Sequence, residues 1–246
     1  MNEPQGAPEA GGVGPHTDSP SGPWSHVLPY FAFGAVLALP GGGGALAAGL
    51  FGAQVAVPAA LLAYFAARGA YPELRGPSFA GGAWLGDVML GLAIAALWLG
   101  PFLLFEALPR PSAEEGFEVG LLGSSAATLA LRLVGFALVT PLMEELFVRS
   151  FLLRFLDVFD SDADFRSVPI GRFAWRSFLG TVVWFTVTHQ TWEWIVALPT
   201  GILLNVWLYR RRRMASVVLA HAVANAAIFV FVVLRAPSHP DLWIFL

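Results

Sequence analysis

The sequence has 246 residues, of which 57% are hydrophobic and only 13% are charged, and its mean hydropathy is +0.66. Since an ordinary soluble domain carries roughly 25% charged residues, this composition predicts a chain that folds in lipid and excludes an ordinary soluble core. The formal net charge of −3 comes without a basic face, which argues against nucleic acid as a partner. Cysteine is absent, so disulfides, thiolate metal sites and a cysteine nucleophile are excluded.

The order of apolar runs predicts an all-α fold, a polytopic membrane helix bundle with about seven transmembrane helices. Residues 1–23 are rich in Pro, Gly, Ser and acidic residues and are predicted to be a disordered tail. Residues 24–246 are predicted to form a single membrane-embedded domain, because several runs approach the roughly 20 residues that span a bilayer. A further helical stretch at 141–156 is predicted to kink or restart at Pro141. The apolar runs lie at 24–39, 45–67, 84–105, 119–139, 170–189, 192–209 and 215–234.

The placement of arginine predicts the orientation of the bundle, because cytoplasmic loops collect positive charge during insertion. The arginines after span two, around the loop after span four, and between spans six and seven would share one side if the N-terminus is cytoplasmic. We therefore expect an integral membrane protein with a cytoplasmic N-terminus. These arginines are Arg68, Arg75, Arg149, Arg154, Arg166, Arg172 and Arg210 to Arg213.

Ionisable side chains inside the predicted membrane helices indicate either pairing or function, because each costs at least about 2.5 to 3.5 kcal/mol on insertion scales. Glu145 and Arg149 are four residues apart in the favourable order, which predicts an ion pair on one helical face. Glu144 lies about 100° around the helix from Glu145 and needs another partner. The other ionisable residues in or beside these helices are Asp87, Arg132, His189, Glu193 and His221.

His221 and Asn225 also lie on one face of a predicted helix, again four residues apart. A lone histidine in a membrane is more often a hydrogen-bond partner between helices, but two histidines, an unpaired Glu and an amide together predict a site. A carboxylate and an imidazole can activate water as a general base, and a second imidazole with an amide can donate to an oxyanion. The same Glu and His set could instead hold a zinc ion, and the residue types do not decide between the two.

Three motifs, in chain order and each on a predicted membrane helix, resemble those of the CAAX protease and bacteriocin-processing (CPBP, also called Abi) family of intramembrane proteases. The match covers the family core at 141–234. The stretch from Asp164 to His221 also looks like the CAAX-protease-related subgroup linked to bacterial exosortase systems, and this likeness implies that the protein lies in a bacterial inner membrane. One departure is Ser150, where many family members have Gly after the motif Arg. The motifs EExxxR, FxxxH and HxxxN fall on Glu144 to Arg149, Phe185 to His189 and His221 to Asn225.

The resemblance implies that Glu144 and His189 activate a water molecule. It implies further that His221 and Asn225 form the oxyanion site. The residues that it places in support of the site are Glu145, Arg149 and Phe185.

The function predicted from these observations is an intramembrane endopeptidase that cuts near the C-terminus of a membrane-associated or lipidated protein. Its partners would be membrane lipid and a protein or peptide substrate. The preferred mechanism requires no cofactor, and zinc is the alternative. Two other functions stay open: a catalytically silent scaffold or immunity protein of the same fold, and a small-solute transporter, although the unequal spans show no inverted repeat.

Overall fold

The computed structural model describes residues 22–40, 45–75, 82–111 and 125–246, and these residues form helices and turns without a strand. The predicted all-α fold is therefore confirmed. Residues 1–21 of the predicted tail and the start of the run at 119–139 lie outside the described residues.

The helices follow the apolar runs of the sequence closely. They are α1 (Trp24–Leu37), α2 (Ala45–Ala67), α3 (Trp84–Leu104), α4 (Ala126–Phe155), α5 (Trp175–Val187), α6 (Trp194–Arg211) and α7 (Met214–Arg235). Short 3₁₀ turns lie at Pro72–Leu74, Phe165–Ser167, Thr191–Glu193 and Pro240–Phe245.

Four helices of the described chain are long and apolar enough to cross a membrane: α2, α3, α4 and α7. The predicted number of about seven is not confirmed. Helix α1 is apolar but has only 14 residues. Helix α5 has 13 residues, which at 1.5 Å of rise per residue gives about 20 Å, less than the roughly 30 Å hydrocarbon core. Helix α6 carries Arg210 and Arg211 in its last turn.

Helix α4 does not restart at Pro141. It runs through this proline and contains two π-helical segments, Gly135–Val139 and Leu146–Leu152. Proline lacks an N–H and its ring clashes with the carbonyl four residues earlier in a regular α-helix. The first π segment, in which the turn is wider than in an α-helix, ends two residues before Pro141. The second π segment follows Glu145 directly and contains Arg149. Such segments are frequent at functional sites.

Helix α7 packs closely on α3 and thereby fixes the position of the HxxxN motif. A Cβ atom at Gly91 would lie 2.5 Å from the carbonyl oxygen of Ala220, so only glycine permits this approach. His221, the residue after Ala220, is held on the face of α7 that turns towards the interior of the bundle, where it is 6% exposed.

One buried polar cluster joins α1, α2 and α4 at a common end of the bundle, which we call the Glu73 end. Glu73, just after α2, accepts a hydrogen bond from Ser150 of α4 and lies 2.7 Å from Nε2 of His26 in the first turn of α1. Arg154 near the end of α4 donates to Ser150 Oγ at 2.6 Å. Tyr71 adds a hydrogen bond of 2.6 Å to the carbonyl of Ser25.

This cluster corrects one sequence interpretation and explains a departure from the family pattern. Arg149 and Arg154, expected around a cytoplasmic loop, are buried within α4, because each has acidic or hydroxyl partners there. Ser150, where many family members have Gly, is fully buried and supplies the hydroxyl that links Glu73 to Arg154.

Candidate active site

A cavity of about 290 Å³ lies between the helices, and all four motif side chains expected to form the site line it. Glu144 comes from α4, His189 from the residues that follow α5, and His221 and Asn225 from α7. The remaining lining is largely apolar and aromatic. It includes Phe33, Leu37, Phe51, Val55, Ile94, Trp98, Phe136, Phe185, Ile228 and Phe245.

His221 contacts both glutamates of the EExxxR motif. Its Nδ1 lies 2.7 Å from Oε1 of Glu145, and its Nε2 lies 3.9 Å from Oε2 of Glu144. Because an ionised carboxylate only accepts, Nδ1 is the donor to Glu145 and Nε2 is the atom that faces Glu144. The sequence spacing predicts Arg149 as the partner of Glu145, and the structure adds His221 as a second partner.

Arg149 anchors this arrangement in the core. Its Nη1 donates to Oε1 of Glu145 at 3.1 Å, and its Nε donates to Oδ1 of Asn205 at 3.2 Å. The amide of Asn205 donates in turn to Oγ1 of Thr181 at 2.9 Å. The guanidinium carbon of Arg149 lies 4.5 Å from the ring centroid of Phe185, a cation–π contact. The predicted ion pair thus belongs to a buried chain that connects α4, α6 and α5.

His189 is oriented by the carbonyl of Phe185, one turn earlier. Its Nδ1 lies 2.6 Å from this oxygen, and since a carbonyl only accepts, Nδ1 carries a proton. In the neutral ring Nε2 is then free of a proton and can accept one. The rings of Phe185 and Trp98 pack against the imidazole with centroid distances of 4.6 Å and 5.4 Å.

Asn225 ties α7 to α4 beside the first π segment. Its Nδ2 donates to the carbonyl of Phe136 at 2.8 Å. A side-chain amide has two N–H donors, so this contact fixes the orientation of the group and uses only one of them.

Five polar residues outside the motifs also line the cavity: Gln54, Arg132, Thr140, Glu193 and Thr200. Burial raises the pKa of Glu193, against the opposing effects of His189 and of a hydrogen bond from the backbone of Gln190. In the sequence, Arg132 and Glu193 stand out as ionisable residues in or beside apolar helices, but they belong to none of the three motifs. Thr200 gives no such signal, because hydroxyl residues are common in membrane helices.

A catalytic zinc site requires three protein ligands that converge on one point. Among the described residues, no three His, Asp or Glu side chains cluster as a metal site requires. Glu144 and His221 face each other, but Nδ1 of His221 is bonded to Glu145, which is itself bonded to Arg149. The residues present therefore do not fit the usual three-ligand catalytic zinc site.

Comparison with known proteins identifies one family. Residues 126–227 match the family model described as type II CAAX prenyl endopeptidase Rce1-like. This segment contains all four motif side chains of the cavity, and the match confirms the resemblance to the CAAX protease family. No curated protein and no solved structure matches the chain significantly.

The matched segment resembles a CAAX prenyl endopeptidase family, and the four long apolar helices indicate an integral membrane protein. The family that this model describes consists of endopeptidases, which hydrolyse peptide bonds.

Proposed function

We propose that this protein is an intramembrane endopeptidase that cleaves a peptide bond near the C-terminus of a membrane-associated protein, with or without a lipid group. The observation that carries the proposal is that all four motif side chains line one cavity, although they come from three separate parts of the chain. They also lie inside the segment that matches a CAAX endopeptidase family.

In the proposed reaction Glu144 and His189 activate the attacking water. Nε2 of His189 is available as an acceptor because Nδ1 is committed to the carbonyl of Phe185. The Glu144 carboxylate, whose side chain is 17% exposed, supplies a second acceptor on the cavity wall. As water attacks the scissile carbonyl, one of its protons passes to this pair and the C–O bond forms.

The oxyanion that develops would be stabilised by His221 and Asn225. Nδ1–H of His221 is bonded to Glu145, so a donor at Nε2 requires the ring to carry both protons, with Glu144 and Glu145 as its acidic neighbours. The second N–H of Asn225 supplies the other donor, because the first is held by Phe136. Fixed donors of this kind typically contribute about 10²- to 10³-fold in rate.

Collapse of the tetrahedral intermediate completes the reaction. The C–N bond breaks, and the proton taken from water moves from the Glu144 and His189 pair to the leaving amine. The products are a new carboxylate on the membrane-associated part and a short released peptide. This sequence of steps uses only side chains of the chain itself.

The cavity offers a basis for recognition of a chain terminus. Arg132 lies on the cavity wall, on the same helix as Glu144, and its guanidinium carbon is 5.8 Å from the ring centroids of both Phe51 and Phe136. We propose that this cation binds the α-carboxylate of the substrate, while the apolar lining accommodates hydrophobic side chains or a lipid group.

We further propose that the protein resides in a bacterial inner membrane as a single domain over 24–246, with the Glu73 end of the bundle facing the cytoplasm. Contacts support a common end for these elements: His26 and Arg154 both approach Glu73, and Leu74 packs against the cluster that contains Met214 at the start of α7. The arginines Arg68 and Arg75 lie beside this end, as the positive-inside rule requires for the cytoplasmic side.

The test is proteolysis by the purified full-length protein in lipid nanodiscs. Peptides with a hydrophobic C-terminal sequence, each with and without an S-prenyl group, are incubated with the protein and the products are identified by mass spectrometry. Wild type is expected to release a short C-terminal peptide, and Glu144→Gln is expected to melt at the same temperature and release none. A wild type that cleaves neither peptide would favour the silent scaffold.

A further inference from the structure

Thr200 of α6 has a hydroxyl group that no neighbouring protein group satisfies. The residue is 2% exposed, and within the described chain Oγ1 makes no hydrogen bond. Thr200 also lines the cavity that contains Glu144 and His189. Because a buried hydroxyl without a partner destabilises a fold, its retention in the middle of a helix calls for a ligand.

Three threonines in or directly after α5 behave differently. Thr181, Thr186 and Thr188 each donate to the carbonyl four residues earlier, at 2.7, 2.8 and 3.0 Å. This is the usual way in which a helical threonine satisfies its hydroxyl. Thr200, directly after Pro199, does not make this bond to Val196. Its hydroxyl therefore has no hydrogen-bond partner within the described chain and can bind a group in the cavity.

The pairing of α5 with α6 brings Thr200 to the level of the His189 imidazole. The two helices run antiparallel, and a Cβ atom at Gly201 would lie 3.2 Å from the ring of Phe185, so these two residues are opposite each other. The ring of His189 folds back to the carbonyl of Phe185. The imidazole and the Thr200 hydroxyl consequently share one level of the cavity.

We propose that Thr200 is a further catalytic residue, which holds the attacking water through its hydroxyl. The inference rests on the proposed function and adds a third partner to the water. The water donates its two protons to Glu144 and to Nε2 of His189 and accepts a hydrogen bond from Thr200 Oγ1–H. Its remaining lone pair is then directed at the scissile carbonyl.

Thr200 is chemically unchanged when water attacks the scissile carbonyl. One water proton passes to the Glu144 and His189 pair and later to the leaving amine, the C–O bond forms, and the C–N bond breaks. Thr200 keeps its own proton throughout. Its contribution is orientation, so its loss is expected to lower kcat with little effect on substrate binding.

The test compares Thr200→Val, Thr200→Ser and the matched control Thr186→Val in nanodiscs. Thr200→Val keeps the shape and removes the hydroxyl, and we expect kcat to fall about 10- to 100-fold with KM within roughly twofold of wild type. Its melting temperature should be equal to or above that of wild type, because an unpaired buried hydroxyl is removed. Thr200→Ser should keep kcat within about threefold, and Thr186→Val should leave kcat unchanged.

A second measurement does not depend on activity. In a high-resolution structure of the wild type, an ordered water is expected within hydrogen-bonding distance of Thr200 Oγ1, and in Thr200→Val that water should be lost or displaced. A wild type without proteolysis but with this water would overturn the proposed function and leave the water site standing. A Thr200 hydroxyl turned to the Val196 carbonyl, or a Thr200→Val effect on KM alone, would overturn the inference.

Discussion

Nδ1 of His221 donates to Oε1 of Glu145 at 2.7 Å, so the second glutamate of the EExxxR motif orients a histidine of the cavity and also pairs with Arg149. This contact joins α7 to α4. It connects Glu145 to a histidine of the proposed site, which an ion pair within one helix would not do.

The first prediction separates the two adjacent glutamates. Glu144→Gln should leave a folded protein without proteolysis, because only a cavity group is altered. Glu145→Gln should lower both the melting temperature and the activity, since breaking a buried ion pair typically costs about 3 to 5 kcal/mol. Thermal melts and initial rates of peptide cleavage measure the two effects. An active Glu144→Gln protein beside a folded, inactive Glu145→Gln protein would transfer the general-base role to Glu145.

The charge-reversed pair is a sharper test of the same contact. Glu145→Arg combined with Arg149→Glu should recover part of the melting temperature lost in either single variant, because a local ion pair is restored. It should not recover activity, because an arginine cannot accept the hydrogen bond from Nδ1 of His221. Full recovery of kcat would show that the contact between Glu145 and His221 is dispensable.

The cluster at the Glu73 end predicts a pH-dependent stability. Burial opposes ionisation of Glu73, but hydrogen bonds from His26 and Ser150 outweigh it and lower the pKa from 4.5 to about 2. The folded pKa lies below the unfolded one, so the stabilisation is complete above the unfolded pKa and is lost as pH falls towards 2. The full effect is roughly 3 kcal/mol.

Melting temperatures in nanodiscs at about pH 7 and about pH 3 test this relationship. Glu73→Gln should melt well below wild type at the higher pH, and the difference should shrink at the lower pH. Glu106→Gln, which alters an exposed carboxylate, is the control and should leave both values unchanged. Equal melting temperatures for Glu73→Gln and wild type at the higher pH would contradict the assigned role.

If Arg132 binds the substrate carboxylate, its removal should raise KM. For a peptide with a free C-terminus, Arg132→Gln should raise KM about 10- to 100-fold, because a charge-assisted hydrogen bond is lost. For the same peptide with a C-terminal amide, wild type and variant should have similar KM values. Arg68→Gln removes an exposed cation that lies 4.3 Å from the ring of Tyr64 and serves as the control. An equal loss for both peptides would exclude carboxylate binding.

The orientation of the bundle can be tested with reporters at its two ends. Helix α7 begins at the Glu73 end, where Met214 packs in the same cluster as Leu74, and it is 22 residues long. A reporter before Trp24 should therefore be cytoplasmic and one after Leu246 should be on the opposite side. Reporters on the same side would mean that one helix does not cross, and α1 is the first candidate because it is short and contains Pro29.

Much of the helical framework could be predicted from the sequence because the hydrophobicity of a segment is a local property. The run predicted at 45–67 is α2 with the same bounds, and the run at 84–105 differs from α3 by one residue. The number of crossings could not be predicted in this way. Helix α5 is too short to span the hydrocarbon core, and α6 ends in two arginines. At Pro141, where a kink or a restart is predicted, the helix continues, and a π segment ends two residues earlier.

The sequence by itself determined the all-α membrane class and the motif residues, because composition and spacings of four or five residues can be recognised along the chain. Only the tertiary structure decided which groups meet. His221 and Glu145 are 76 positions apart, and no local pattern indicates that Glu145 has a partner besides Arg149. The same holds for Thr200, which differs from Thr181, Thr186 and Thr188 because its hydroxyl makes no bond to the preceding turn and the residue lines the cavity.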